Sequence, residues 1–141
     1  MALVKFIPKW HYGMWKINPA TDDYDGRRKW YAKKKSRELG AVDENLARYL
    51  AALNNGARPL QIKDGAVRSE GEDVYRISQQ GTTYGKLAET RLYVYPDVEA
   101  SVLHLLTIGD KRTQSQDIAF CKECVRAIKK QKALQDERVP D

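Results

Sequence analysis

Val102-Leu103-His104-Leu105-Leu106-Thr107-Ile108-Gly109-Asp110-Lys111-Arg112-Thr113-Gln114-Ser115-Gln116-Asp117-Ile118 is the stretch on which the fold of this chain turns. Its first seven residues are almost continuously apolar, as expected of a central strand buried on both faces. Gly109 then opens a turn. Thr113 with Gln116 fits a capping box, and a helix over 115–134 follows with Ile118, Cys121, Val125 and Ile128 on one face.

A buried strand needs neighbours, and the sequence upstream supplies them. Short strand-like runs fall at 60–62, 66–69, 73–78, 87–95 and 101–108, separated by Asp64-Gly65, Glu70-Gly71, the segment 81–85 and Pro96-Asp97. Connections this short pair successive strands antiparallel, as a meander. Further upstream the period lengthens to that of a helix. Val42, Leu46, Tyr49, Leu50 and Leu53 form a stripe closed by Asn54, Asn55, Gly56 and Pro59. A weaker helical pattern over 27–39 ends at Gly40. Gly13, Pro19 and Asp22-Asp23-Tyr24-Asp25-Gly26 punctuate residues 1–26, which read as an arm or irregular strand. The expectation is an α+β domain over 27–135 with two N-terminal helices, an antiparallel sheet meander and a C-terminal helix, followed by a frayed tail over 136–141.

With 141 residues, the chain has the length of one domain. Its mean hydropathy of -0.67 and 31% charged residues exclude a membrane-embedded class, and no apolar run approaches the roughly 18 residues of a membrane span. The apolar residues of 1–8 are too few for a secretory signal, so the expected location is cytoplasmic and the two cysteines are expected to be reduced.

Charge is distributed unevenly. Residues 1–40 carry ten Lys or Arg against four Asp or Glu, and residues 41–141 carry fifteen of each, so the whole net charge of +6 lies in the first segment. Arg27, Arg28, Lys29, Lys33, Lys34, Lys35 and Arg37 crowd together there with all three tryptophans, Trp10, Trp15 and Trp30. Interleaved cations and aromatics suit a nucleic-acid partner. A solvated helix face beside a small aromatic cluster is the competing reading.

Other motifs carry less. Cys121-Lys122-Glu123-Cys124 lies inside the predicted last helix, and with only His11 and His104 elsewhere it lacks a zinc ligand set, so both thiols are expected to pack as small hydrophobes with no metal bound. His11 and His104 could pair as an acid and base, but His104 alternates with Val102 and Leu106 and reads as structural. Gly81-Thr82-Thr83-Tyr84-Gly85 lacks the lysine of a phosphate loop and reads as a hairpin tip. The turn after Ile108 places Lys111, Arg112 and several hydroxyl or amide donors beside free helix N–H groups, which can hold a phosphate; an ordinary capped turn has the same composition.

Taken in order, Asp73-Val74-Tyr75-Arg76-Ile77-Ser78, Thr90-Arg91-Leu92-Tyr93-Val94-Tyr95 and the run from Val102 through Gly109-Asp110-Lys111 to Asp117-Ile118 resemble the RelE/ParE toxin superfamily. The helix ending at Gly56 and the Lys29-Trp30 pair on the helix before it are similar to that family's paired N-terminal helices, and the likeness covers roughly residues 27 to 130. It implies a toxin of a type II pair, held by a cognate antitoxin. RelE-like members cut messenger RNA on the ribosome, whereas ParE-like members poison DNA gyrase. A non-catalytic gyrase inhibitor or a basic nucleic-acid-binding module is therefore the alternative.

By the resemblance, the catalytic group falls on Arg76, Arg91, Lys111 and Arg112. RNA binding falls on Arg27, Arg28, Lys29, Lys33, Lys34, Lys35, Arg37 and Lys63. Ser78 stands where the ribonucleases commonly carry another lysine, and Phe120 is the only aromatic after Tyr95. Cleavage by the 2'-hydroxyl needs no cofactor or metal. Guanidinium groups stabilise the charge of the transition state, and Lys63 or Lys111 is a candidate to take the proton.

Overall fold

The computed structural model describes residues 14–82 and 84–138. Strand β1 (Lys16–Pro19) leads into helices α1 (Asp22–Lys34) and α2 (Ser36–Asn54). Strands β2 (Val67–Gly71), β3 (Val74–Ser78), β4 (Arg91–Asp97) and β5 (Val102–Gly109) follow, and helix α3 (Gln114–Arg138) closes the fold. The fold is α+β, as expected. The sheet has the order β1-β5-β4-β3-β2 and is mixed, because β1 runs parallel to β5 while the other pairs are antiparallel.

That parallel strand corrects the purely antiparallel expectation. Lys16-Ile17-Asn18-Pro19 is exposed throughout and shows no alternation, so nothing in its side chains announces a strand. It is held by its backbone register on Val102 to Leu105 and by the Trp15 N–H, which donates to Asn54 Oδ1 at 2.7 Å. The acidic stretch expected to punctuate the arm is instead the first turn of α1. The Thr21 hydroxyl caps it by accepting from the Tyr24 N–H, and Asp22, Asp23 and Asp25 sit at the positive end of the helix dipole.

Helix α1 stops at Lys34, earlier than expected, and α2 runs straight through Gly40. Gly40 leaves room for the Tyr84 hydroxyl against the helix, and a Cβ there would require that exposed side chain to shift. The same segment explains why β4 begins at Arg91 and not at 87. Residues before it lie on the start of α2, with Arg37 donating to the Tyr84 carbonyl (2.6 Å) and the Ala88 N–H to Glu38 (3.1 Å). The expected strand at 60–62 is a 3-10 turn, Pro59–Gln61. Glu72 and Asp73, both at positive φ, close the β2–β3 hairpin as the paired left-handed residues of a tight turn.

Two cores sandwich the sheet. On one face Leu39, Val42, Leu46, Tyr49 and Leu53 of α2 meet Tyr75, Ile77, Leu92, Val94, Leu103, Leu105 and Ile108. On the other, Cys121 and Val125 of α3 meet Val74, Tyr93, Tyr95 and Leu106. Leu106 has no partner in the register, which passes from Tyr93↔Thr107 to Val94↔Leu105. This extra residue lets both Leu105 and Ile108 face α2 while Leu106 faces α3. Cys121 is fully buried, and burial pushes its thiol pKa up. It packs as the small hydrophobe the sequence suggests.

His104 is satisfied structurally. Its Nδ1 lies 3.0 Å from the Asn18 amide and its ring stacks on Tyr95 with centroids 5.3 Å apart. Burial lowers its pKa from the ordinary 6.5, with Lys132 acting in the same sense and Asp97 against it. The unfolded chain therefore takes up a proton at higher pH than the folded one. Stability is full above the ordinary value and falls as pH drops below it toward the folded pKa. Urea midpoints measured from pH 7.5 to 5.5 should decline for the wild type, and His104→Gln should flatten that decline.

Candidate nucleic-acid interface

The turn between β5 and α3 is built around Asp117, whose side chain is only 3% exposed. Arg27 Nη1 donates to its Oδ1 at 2.9 Å and the Thr113 hydroxyl to its Oδ2 at 2.6 Å. Arg27 Nη1 also donates to the Ile108 carbonyl at 3.0 Å. Gly109 is obligatory at the base of the turn, since a Cβ there would run into the Asp117 carboxylate. The predicted Thr113 and Gln116 capping box is replaced by this arrangement. Asp110 caps the preceding 3-10 turn, Lys111–Thr113, by accepting from the Arg112 N–H, and α3 begins at Gln114.

These contacts clamp α1 to the turn, and the clamp assembles a surface from residues some 80 positions apart. Arg27, Trp30 and Tyr31 of α1 and Ile108, Gly109, Asp110, Arg112 and Thr113 of the turn line a shallow cavity of about 170 Å³. Trp30 is half exposed and meets Tyr31 edge-to-face at 5.1 Å. The Arg112 side chain is 89% exposed, steered by Asp110 Oδ2 at 2.9 Å, and this hydrogen bond holds the Asp110 carboxyl below the usual carboxylate range. Lys33 and Lys34 follow Trp30 at i+3 and i+4, the spacing that shares a helix face. Lys29, Lys33, Lys34 and Lys111 are exposed and make no ion pair with the described residues.

The basic segment thus divides. Arg27 is engaged with Asp117 and Asp23, Arg28 forks onto Asp43 at 2.9 and 2.6 Å to tie α1 to α2, and Arg37 holds the Tyr84 carbonyl. Those three serve the fold. Lys29, Lys33 and Lys34 remain as open cations, with Lys35 half-buried at the break between the helices. Lys63 lies elsewhere, in a small cleft with Ile62, Val67 and Tyr75 near the α2 side of the sheet. The Trp10 and His11 positions fall outside the described residues.

Arg76 and Arg91 share the α3 face of the sheet, on either side of Tyr93. Both are largely covered, with side chains 15% and 8% exposed, and each faces an acid: Arg76 is 3.5 Å from Glu70 and Arg91 is 2.8 Å from Glu89. Burial pushes the Tyr93 hydroxyl up to about 12, against the lowering influence of Arg91 beside it. Tyr93 OH, Arg91 Nη1 and Glu70 Oε2 are buried without a well-formed hydrogen bond among the described residues. The sheet arginines and the exposed Lys111 and Arg112 are therefore on different levels: the first pair sits inside and the second at the surface. Sequence reasoning missed Asp117, Glu70 and Tyr93; a carboxylate eight residues past a turn glycine was the available signal for the first.

These features define an α+β protein with a mixed sheet covered on both faces and a cationic, aromatic surface where α1 meets the β5–α3 turn. No protein-family model, curated protein or solved structure matches the chain. Among the described residues, no helix is long and apolar enough to cross a membrane.

Asp117→Ala should lower stability by about 2 kcal/mol, because it strips the Thr113 hydroxyl and Arg27 of their shared buried acceptor. Gly109→Ala should also destabilise by displacing that carboxylate, whereas Arg112→Ala, which removes only the exposed partner of Asp110 and leaves its cap on the Arg112 N–H in place, should leave the urea midpoint nearly unchanged.

Proposed function

We propose that this chain is a toxin of the RelE kind, which binds messenger RNA on the ribosome and cleaves it there, and which a cognate antitoxin neutralises in the cytoplasm. The observation that carries the RNA reading is the junction itself. Arg27 and Asp117 fasten α1 to the turn, so Trp30 and Arg112 line one cavity, with Lys33 and Lys34 at i+3 and i+4 from Trp30 and Lys29 one turn before Lys33. Cations of this kind supply sequence-independent affinity for a phosphate backbone. The element order, two helices then a meander then a helix, is compatible with a RelE-like fold. In this reading Arg76 and Arg91 stabilise the pentacovalent phosphate, which requires Glu70 and Glu89 to give way to RNA.

A non-cleaving RNA-binding protein is the second reading. The cover over Arg76 and Arg91, and their pairing with acids, favour it. Inducing the chain alone and probing messages by primer extension separates the two. Discrete cuts in translated messages support the toxin, while ribosome binding with intact messages supports the module. Continued protein synthesis with arrested replication would move the assignment to a gyrase inhibitor.

Binding has its own test. The triple substitution Lys29→Ala, Lys33→Ala, Lys34→Ala should weaken binding to single-stranded RNA and reduce the slope of log affinity against log salt by about 0.7 for each phosphate that is no longer neutralised. Lys63→Ala should leave that slope unchanged.

A further inference from the structure

We propose that the cavity between Trp30 and Arg112 holds one unpaired nucleobase, stacked on the Trp30 indole, with its flanking phosphates on Lys33, Lys34 and Arg112. The inference rests on the reading of this face as an RNA surface and adds what it selects: single-stranded over duplex RNA.

Trp30 is the starting point. Its neighbour Tyr31 is buried in the α1–α2 core, yet Trp30 keeps half of its surface in water on the helix face that also carries Lys33 and Lys34. The contact with Tyr31 at 5.1 Å, with planes 63° apart, holds the indole without covering it. Beside it lies a cavity of about 170 Å³ that Trp30 lines together with Arg112 and other residues of the 108–113 turn. An aromatic ring and a planar guanidinium lining one cavity suit a flat, polarisable guest. The walls themselves are firm, since Arg27 pins the turn through both the Ile108 carbonyl and Asp117.

Stacking of this type needs a base turned out of any helix. In a duplex the π-faces are occupied by neighbouring bases, and only phosphates and groove edges remain accessible. The lysines therefore act on single and double strands alike, whereas Trp30 acts on the single strand alone. Arg112 belongs to both groups: Asp110 orients it, and 89% of its side chain remains open to a phosphate or a base face.

The test uses the full chain with a fluorescently labelled ten-nucleotide single-stranded RNA and the matching duplex. Trp30→Ala should weaken single-strand binding by about tenfold with the salt slope unchanged, because stacking is not a counterion effect. Trp30→Phe should retain affinity within about threefold, and duplex binding should be indifferent to both substitutions. A urea midpoint for each variant at the wild-type value confirms that the half-exposed position leaves folding intact. Equal losses on single strand and duplex, a changed salt slope, or a Phe variant as weak as the Ala variant would each overturn the stacking site. The toxin reading fails separately: binding that depends on Trp30 in a chain that leaves translation untouched keeps the site and removes the toxin. Translation arrest that survives Trp30→Ala, with unchanged single-strand affinity, does the reverse.

Discussion

The buried Asp117 carboxylate is the constraint around which the functional end of the molecule is arranged. A carboxylate this far from water is tolerated only when donors replace its hydration, and here a guanidinium, a threonine hydroxyl and the absence of a side chain at Gly109 do so together. Each contribution comes from a different place: α1, the turn, and the last residue of β5. Satisfying one acid therefore fixes the angle between the basic helix and the turn. Arg27 extends the bond to the Ile108 carbonyl, so the clamp also grips the central strand.

The α3 face of the sheet is organised differently. Its lower half is a dry cluster of Val74, Tyr95, Leu106, Cys121 and Val125. Its upper half carries Arg76, Tyr93 and Arg91 with Glu70 and Glu89 at the margin, and Tyr93 OH and Arg91 Nη1 lack a well-formed hydrogen bond among the described residues. A sheet that needed only stability would fill these positions with apolar side chains, as the opposite face does with Tyr75, Ile77, Leu92 and Val94. The polar row begins beside the turn that Asp117 braces, since Arg91 pairs in register with Gly109.

How much of this was legible depended on whether a residue's role shows in its own neighbourhood. The α2 stripe was readable because Val42, Leu46, Tyr49 and Leu53 all serve one packing face. The run at 102–108 was readable as doubly buried, although its extra residue, Leu106, was not. Strand β1 was opaque because its reason for existing is the backbone of β5, not its own side chains. The start of α1 was misread because Asp22, Asp23 and Asp25 are turn formers in isolation and dipole partners when a capping Thr21 precedes them. Cation counting located the basic segment correctly. It could not tell Arg27 and Arg28, which are engaged by Asp117 and Asp43, from Lys29 and Lys33, which face solvent, because those acids arrive from 90 and 15 residues away.

That division bears on how much weight the charge itself can carry. Part of the basic run also serves the fold: Lys33 and Lys34 lie in the last turn of α1, where cations are favoured by the negative end of the dipole whatever else they bind. Arg27 and Arg28 are tertiary clamps. Once these are set aside, net charge alone no longer demands an anionic partner. Trp30 is not absorbed in the same way. A large apolar ring half in water forgoes burial free energy that its neighbour Tyr31 gains one residue later, and neither the helix dipole nor any ion pair needs it there. The aromatic, more than the cations around it, is the feature of this surface that the folded chain by itself does not explain.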